Sequence, residues 1–344
     1  MTADPDCPLP FGAEHAFLRD FSGFVALREA LESGVIDALA ERPRVPVDLA
    51  AATGLAEPGL TLLLSLLAGA GIVTHAPEGL ALDASFAAVL ADRRDLLEAK
   101  IAFLSDAVAD IGADLHGLLF DLAAFQARSR TFGLFRYDRA QDVTPAALAA
   151  TRRWVRYVTA LSISETPHLV GHIDLGASRR LLEVGGNTGV LSEALLNRAP
   201  QLSAVVLDLP AVCALGAERM RGRPAAERLH FVPGDARAAP WPGPVDAVLF
   251  KSVLHDWPEA EMRQFLTRAV DRLSPGGRIV ICERAPLPTP SGPLPLWMMA
   301  NLVFAPFYRA PADYAVVLQE LGLSCAAPRW VTLDLPFFTL IGQR

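Results

Sequence analysis

Apolar residues recur along this chain in two rhythms, and the change from one to the other divides it. In the first half the spacing is helical. Phe17, Phe21, Phe24, Val25, Leu27, Leu31, Val35, Ile36 and Leu39 form one broad stripe, which predicts a helix pair over residues 17–39, kinked near Gly23. Residues 47–54 read as a short helix closed by Gly54, and residues 57–70 as another ended by Gly71. Residues 72–74 and 80–82 flank a turn at 77–79 and predict a small β-hairpin. Helices followed by a hairpin in this order make a winged helix-turn-helix. Residues 84–172 continue as mostly helix, with amphipathic segments near 96–104, 108–125 and 146–170.

Beyond residue 180 short apolar runs alternate with helical stretches, the pattern of a parallel sheet covered by helices. Leu181 to Val184 is the first strand. It breaks at Gly185-Gly186-Asn187-Thr188-Gly189, and Val190, Leu191, Ala194 and Leu195 then resume at helical spacing. Further strands are expected at 205–208, 230–235, 245–251 and, with a Pro-Gly-Gly turn, 273–283. A loop at 286–295 with five prolines follows, then an apolar helix at 296–304, a helix at 312–321 and final strands within 331–340. No internal repeat or low-complexity tract occurs.

Composition narrows the class. The chain has 344 residues, 52% of them hydrophobic, which allows a full core and two domains, or one large domain with an appendage. No run of about 18 apolar residues occurs, so no transmembrane helix is expected. The acidic start, Met1-Thr-Ala-Asp-Pro-Asp, lacks the apolar centre of a signal peptide, and a cytoplasmic protein is expected. Cys7, Cys213, Cys282 and Cys325 are scattered and form no CxxC, so they read as free thiols with neither zinc nor disulfides implied. A formal charge of −7 argues against a nucleic-acid partner. The second helix of the winged region agrees, because residues 58–70 hold no Arg or Lys to reach phosphates or bases.

The glycine turn after the first strand carries the chemistry. It lacks the Gly-Lys-Ser/Thr of a phosphate-gripping loop, and its glycines fall as G-G-x-x-G, not the dinucleotide G-x-G-x-x-G. Glu183 stands just before it; a carboxylate there repels a pyrophosphate and suits a ligand with a cationic amino group. Asp208 ends the second strand, 25 residues on, where an acid can take two ribose hydroxyls. Gly234-Asp235 ends the third and suits an adenine edge. The fourth runs from Lys251 into His255-Asp256-Trp257. His255 is a candidate base, since imidazole can accept a phenol's proton near neutral pH; the alternative is a packing or capping role, with Asp256 capping the helix that follows.

Taken in order, these motifs resemble the class I S-adenosylmethionine-dependent methyltransferases. The His-Asp-Trp triplet, with Lys251 four residues before it, resembles the small-molecule O-methyltransferases of the plant caffeate and bacterial natural-product (hydroxyindole O-methyltransferase-like) type. The resemblance implies an α/β chain: a winged-helix dimerisation domain over 1–95, a helical linker to the acceptor pocket over 96–172, and a Rossmann-like domain with a mostly parallel seven-stranded sheet over 173–344. It implies S-adenosylmethionine held by Glu183, Gly185, Gly186, Gly189, Asp208, Leu209, Gly234, Asp235, Ala236, Lys251, Ser252 and Trp257, and no metal. Lys251 and Trp257 would meet the adenine edge and face. His255 would be the base, oriented by Glu283. Trp154, Tyr157, Asp256, Met298, Met299, Asn301 and Tyr308 would line the pocket for an aromatic acceptor, and the chain would form a homodimer without nucleic-acid or membrane partners.

Three positions depart from the family pattern. Asn187 replaces a third glycine. Ala305-Pro-Phe-Tyr-Arg309 replaces a Gly-Gly-basic-Glu-Arg segment, so Tyr308 stands where a Glu helps hold the histidine. Trp297 replaces an acid. The donor half matches and the acceptor half is altered. That fits a more apolar acceptor, and equally a relative that binds the cofactor for decarboxylation, hydroxylation or pericyclic chemistry; N- or C-methylation stays open. A ligand-responsive winged-helix regulator and a Rossmann dehydrogenase are the remaining alternatives, opposed by the helix without basic residues and by Glu183.

Overall fold

The computed structural model of the chain describes residues 9–344. Cys7 and most of the lead-in expected over residues 1–12 lie outside the described residues. The chain divides into two compact units. One runs to Ile111 and takes in Pro290–Ala300; the other comprises Gly112–Thr289 and Asn301–Arg344. The segment expected to link two domains, 96–172, is thus shared between the units.

The first unit begins with α1 (Phe21–Glu32), capped by Asp20, whose carboxylate accepts from the Gly23 amide at 2.9 Å. α2 (Val35–Glu41), α3 (Pro46–Thr53) and α4 (Glu57–Gly69) follow, then an antiparallel hairpin of β1 (Val73–Ala76) and β2 (Gly79–Leu82). The break in the first helix pair falls at Gly34, which adopts φ 81°, and not at Gly23. Gly23 serves packing: a Cβ there would sit 2.9 Å from the Ala70 Cβ. Phe24, Leu27, Ile36, Leu49, Leu60, Leu67 and Phe86 form the buried centre, while Leu62 of α4 faces outward. α5 (Ala84–Phe120) is one helix of 37 residues where two amphipathic segments were expected.

In the second unit α6 (Leu122–Arg128), α7 (Arg130–Leu134), a 3-10 turn at Tyr137–Gln141 and α8 (Pro145–Leu169) precede the sheet. Then come β3 (Arg180–Val184), α9 (Val190–Arg198), β4 (Ser203–Asp208), α10 (Pro210–Met220), β5 (Leu229–Pro233), β6 (Val245–Lys251), α11 (Glu259–Arg272) and β7 (Leu273–Arg284). α12 (Met299–Leu302), α13 (Pro311–Glu320), β8 (Ser324–Cys325), β9 (Arg329–Thr332) and β10 (Pro336–Gln343) complete the chain. The helix expected at 296–304 is broken, a 3-10 turn at Leu296–Met298 giving way to the short α12.

The sheet has eight strands in the order β5-β4-β3-β6-β7-β10-β8, with β9 on β10. The expected seven become eight because Ser324–Cys325, where no strand was expected, pairs with Gly342 and Gln343 as β8, while the last apolar run bends at Asp334, which accepts from the Leu335 amide at 2.9 Å, and gives β9 and β10. β5, β4, β3, β6 and β7 are parallel, and β10 is antiparallel to β7. Apolar runs such as Leu181, Leu182 and Val184 are buried as interior strands require. Chain order reverses between β3 and β6, which opens a crevice at the carboxyl ends of the strands, where ligands of such sheets bind.

Candidate active site

Parallel strands end on one edge, so this topology gathers the acids that terminate them: Glu183 in β3, Asp208 in β4, Asp235 after β5, and Glu283 in β7. The turn after β3 needs its glycines. Gly185 adopts φ 69° and Gly189, at the cap of α9, φ 75°. A Cβ on Gly185 would sit 2.6 Å from Val253, and one on Gly186 2.7 Å from the Glu183 side chain. Asn187 fills the departure from the glycine pattern with φ 51°, a conformation Asn tolerates. Its side-chain oxygen accepts from the Thr188 amide at 2.8 Å and from Thr159 of α8 at 3.1 Å.

Glu183 is buried and accepts from Ser192 at 2.5 Å. Burial pushes it up to about 7, against the pull of Ser192 and the charge of Lys251. Such a group gains from a cation brought into the site. Asp208 accepts from the Leu209 amide at 2.7 Å and the Asn187 amide at 2.8 Å, and burial pushes it up to about 6. The Asp208 carbonyl accepts from Gly234 at 2.9 Å, which sets the turn into Asp235 and Ala236. Glu183, Gly185, Gly186, Gly189, Asp208, Leu209, Gly234, Asp235 and Ala236 therefore stand together at the carboxyl ends of β3, β4 and β5.

Lys251 and Trp257 make contacts the sequence did not announce. The Lys251 ammonium pairs with Glu165 of α8 at 2.5 Å. Trp257 has the Arg237 guanidinium 4.9 Å from its ring centre and the Tyr137 ring 6.0 Å away at 28°. Arg237 also grips Asp235 and holds it below the usual carboxylate range. Gln141 reaches Asp235 at 3.4 Å.

The candidate base, His255, lies one strand away. Ser252 takes φ 52° at the end of β6, and its amide donates to the Cys282 carbonyl at 3.0 Å. The chain then turns through Leu254–Asp256, and His255 is 8% exposed. Glu283 Oε2 lies 2.5 Å from His255 Nδ1, while Oε1 accepts from the Val253 and Leu254 amides at 2.9 and 2.8 Å. Burial works against charge on the imidazole, but Glu283 and Asp256 outweigh it and hold His255 above its ordinary value. Glu283 is held below its own. Nε2 faces Asp256 Oδ1 at 3.3 Å, and Asp256 Oδ2 accepts from the Tyr137 hydroxyl at 3.0 Å. Asp256 does not cap α11; Pro258 occupies that position with no side-chain cap. Arg309 fixes the turn by donating to the Leu254 and Trp257 carbonyls at 2.9 and 2.5 Å.

Of the expected acceptor-side residues, Tyr308 meets the His255 ring edge-on at 5.3 Å. Asn301 donates to Asp334 at 3.5 Å. Trp154 is buried in an apolar cluster with Val155, Ala211, Val212 and Leu215, against the rings of Phe135 and Tyr137. Tyr157 and Tyr308 both lie in the electrostatic field of Arg284. Met298 and Met299 belong to the first unit, as does Trp297, which stacks on His15 at 4.2 Å.

Sequence reasoning missed Glu165, Arg284 and Tyr137. Glu165 is 1% exposed and bridges Lys251 and Arg284, each at 2.5 Å. A signal for it existed: it shares a helical stripe with Trp154, Val158, Leu161 and Leu169, and an acid on an apolar stripe asks for a buried cation. Among the described residues no group of three or more His, Cys, Asp or Glu could hold a metal ion, and no single helix is long and apolar enough to cross a membrane.

Known proteins resemble this chain in sequence and fold. A 3-hydroxy-5-methyl-1-naphthoate 3-O-methyltransferase of Streptomyces sahachiroi is 35% identical over 171 residues, 49% of each chain, so the match spans about half that protein's length. A mitomycin biosynthesis 6-O-methyltransferase of Streptomyces lavendulae is 26% identical over 308 residues, 87% of this chain and 84% of that one. The solved structure of a mitomycin 7-O-methyltransferase superposes with a TM-score of 0.75 at 24% identity, over 93% of this chain and 94% of that one, and shares the fold. The O-methyltransferase domain family matches residues 117–324, from the end of α5 through the sheet to β8, and by that match the chain belongs to it.

Proposed function

We propose that this chain transfers the methyl group of S-adenosylmethionine to a hydroxyl, phenolic in character, of an aromatic small molecule, with His255 as the proton acceptor. The observation that carries this reading is the coupling of His255 Nδ1 to a fully buried Glu283 at 2.5 Å, on the same sheet edge as Glu183 and Asp208. The names of the relatives, two of which give hydroxynaphthoate and aminohydroxybenzoate acceptors and one an O-methyltransferase of mitomycin biosynthesis, agree with it.

The residues fit the cofactor. A buried carboxylate at Glu183 suits its ammonium group, the backbone of Gly185–Gly189 leaves room no side chain would, and Asp208 can accept from ribose hydroxyls. Bound there, the cofactor supplies an already activated methyl on a sulfonium. The protein's part is then to position the acceptor and take its proton. His255 accepts that proton at Nε2, turning from Asp256 to the acceptor hydroxyl. Glu283 holds the ring and stabilises the imidazolium that forms. We further read the first unit, with Leu62 facing outward on α4, as the homodimer surface.

The test is mass-spectrometric: purified protein, S-adenosylmethionine and a panel of phenolic acceptors, with His255→Ala alongside. One methyl gained per S-adenosylhomocysteine formed is expected, with kcat lower by about two to four decades in the variant. A second reading, chemistry that never consumes the methyl, draws on Tyr308 standing where the family has a Glu. Product without S-adenosylhomocysteine would favour it.

A further inference from the structure

Glu165 lies outside every role described above, yet among the described residues it is the carboxylate that touches both Lys251 and Arg284. Its two oxygens divide between them: Oε2 meets Lys251 and Oε1 meets Arg284, each at 2.5 Å. Lys251 ends β6 and pairs in register with Cys282; Arg284 ends β7, directly after Glu283. Arg284 is thus the chain neighbour of the residue that holds His255, and Lys251 is paired one position before it. Arg284 has a second partner in Asp334, but at 3.5 Å, and its Nε has no hydrogen-bond partner. Buried cations act on their neighbours over several ångströms when nothing cancels them.

We propose that Glu165 is a positioning residue for the proton transfer: by pairing with Lys251 and Arg284 it offsets the cations that flank the Glu283–His255 couple. The groups that face His255 set the balance. From its own turn comes Asp256 at Nε2. From β7 come Glu283 at Nδ1 and the Arg284 charge behind it. From the segment before α13 come Tyr308 at the ring edge and Arg309 on the flanking carbonyls. Tyr137 acts only through Asp256. Among these, Arg284 lowers the imidazole's affinity while Glu283 and Asp256 raise it. Remove the Glu165 charge and Lys251 loses that partner, while Arg284 keeps Asp334 at 3.5 Å. The alternative is that Glu165 merely ties α8 to the sheet, in which case its loss would change stability and leave His255 unmoved.

This inference rests on His255 being the proton acceptor, but its test needs neither acceptor nor methyl transfer. The Cε1–H resonances of the full-length protein would be followed by NMR from about pH 5 to 9, with His255 assigned by its loss in His255→Asn. Glu165→Gln is expected to lower the His255 midpoint by about one pH unit. Arg284→Gln, which leaves Glu165 partly unopposed, is expected to raise it. A midpoint unchanged or raised in folded Glu165→Gln overturns the proposal. Should that variant not fold, the pair Glu165→Gln with Arg284→Gln decides: a midpoint below that of Arg284→Gln alone supports the proposal, and the same midpoint overturns it. Methyl transfer that fails in the wild type would instead strike the functional reading.

Discussion

Glu183 shows how a single residue's surroundings set its chemistry. Burial holds it up to about 7, so near neutral pH it ionises fully only when a cation arrives. The carboxylate is the binding form, so affinity for S-adenosylhomocysteine, which keeps the ammonium group, should fall as pH drops through that value. Calorimetry is expected to give binding weaker on the order of tenfold at pH 5.5 than at pH 8, with proton release near neutral pH. Glu183→Gln should weaken binding and flatten this dependence; equal affinity at both pH values in the wild type would contradict it. The acids Glu183, Asp208, Asp235 and Glu283 were legible in the sequence because each closes an apolar strand. Glu165, Arg284 and Tyr137 were not, since their partners lie 86 to 119 positions away and only tertiary packing joins them.

Elements were legible wherever one period dominated. The strands that carry the site fall within a few positions of their expected bounds, because buried parallel strands leave uninterrupted apolar runs. Glycines misled where one residue type serves two purposes. Gly34 breaks the first helix pair through a left-handed φ, while Gly23 only permits close approach to Ala70. The turn after β3 combines both demands at Gly185: φ 69° and a Cβ position 2.6 Å from Val253. Gly54 offers the comparison, with φ 71° and open space around its missing Cβ. Gly54→Ala should therefore cost only backbone strain, about 1 kcal/mol. Gly185→Ala should cost more, since Val253 must also shift, and should impair S-adenosylhomocysteine binding. Urea midpoints of the two variants decide this, and equal losses would contradict the argument.

At the scale of the whole molecule, the order of strands does the organising. The reversal between β3 and β6 puts Glu183, Asp208 and the His255–Glu283 couple on one edge; alternation of strand and helix in the sequence was enough to expect a parallel sheet, but not the strand order. The couple also ties stability to pH. His255 is raised in the fold, so its contribution is fully present below its unfolded value and is lost as pH rises through its folded one. Glu283 is lowered, so its contribution is lost as pH falls through its own folded value. The Tm deficit of His255→Asn should be larger at pH 6 than at pH 9. The proposed role of His255 as proton acceptor needs the opposite state, an unprotonated imidazole.

The measurement that meets the central claim most directly is therefore kcat/KM against pH for methyl transfer, wild type beside His255→Asn. The account predicts a wild-type rate that climbs through a midpoint above about 6.5, the ordinary histidine value. The variant should lose that limb and run about two to four decades slower, recovering only where the acceptor's own hydroxyl ionises. A variant that kept the wild-type rate and the same limb would contradict the claim that His255 takes the proton.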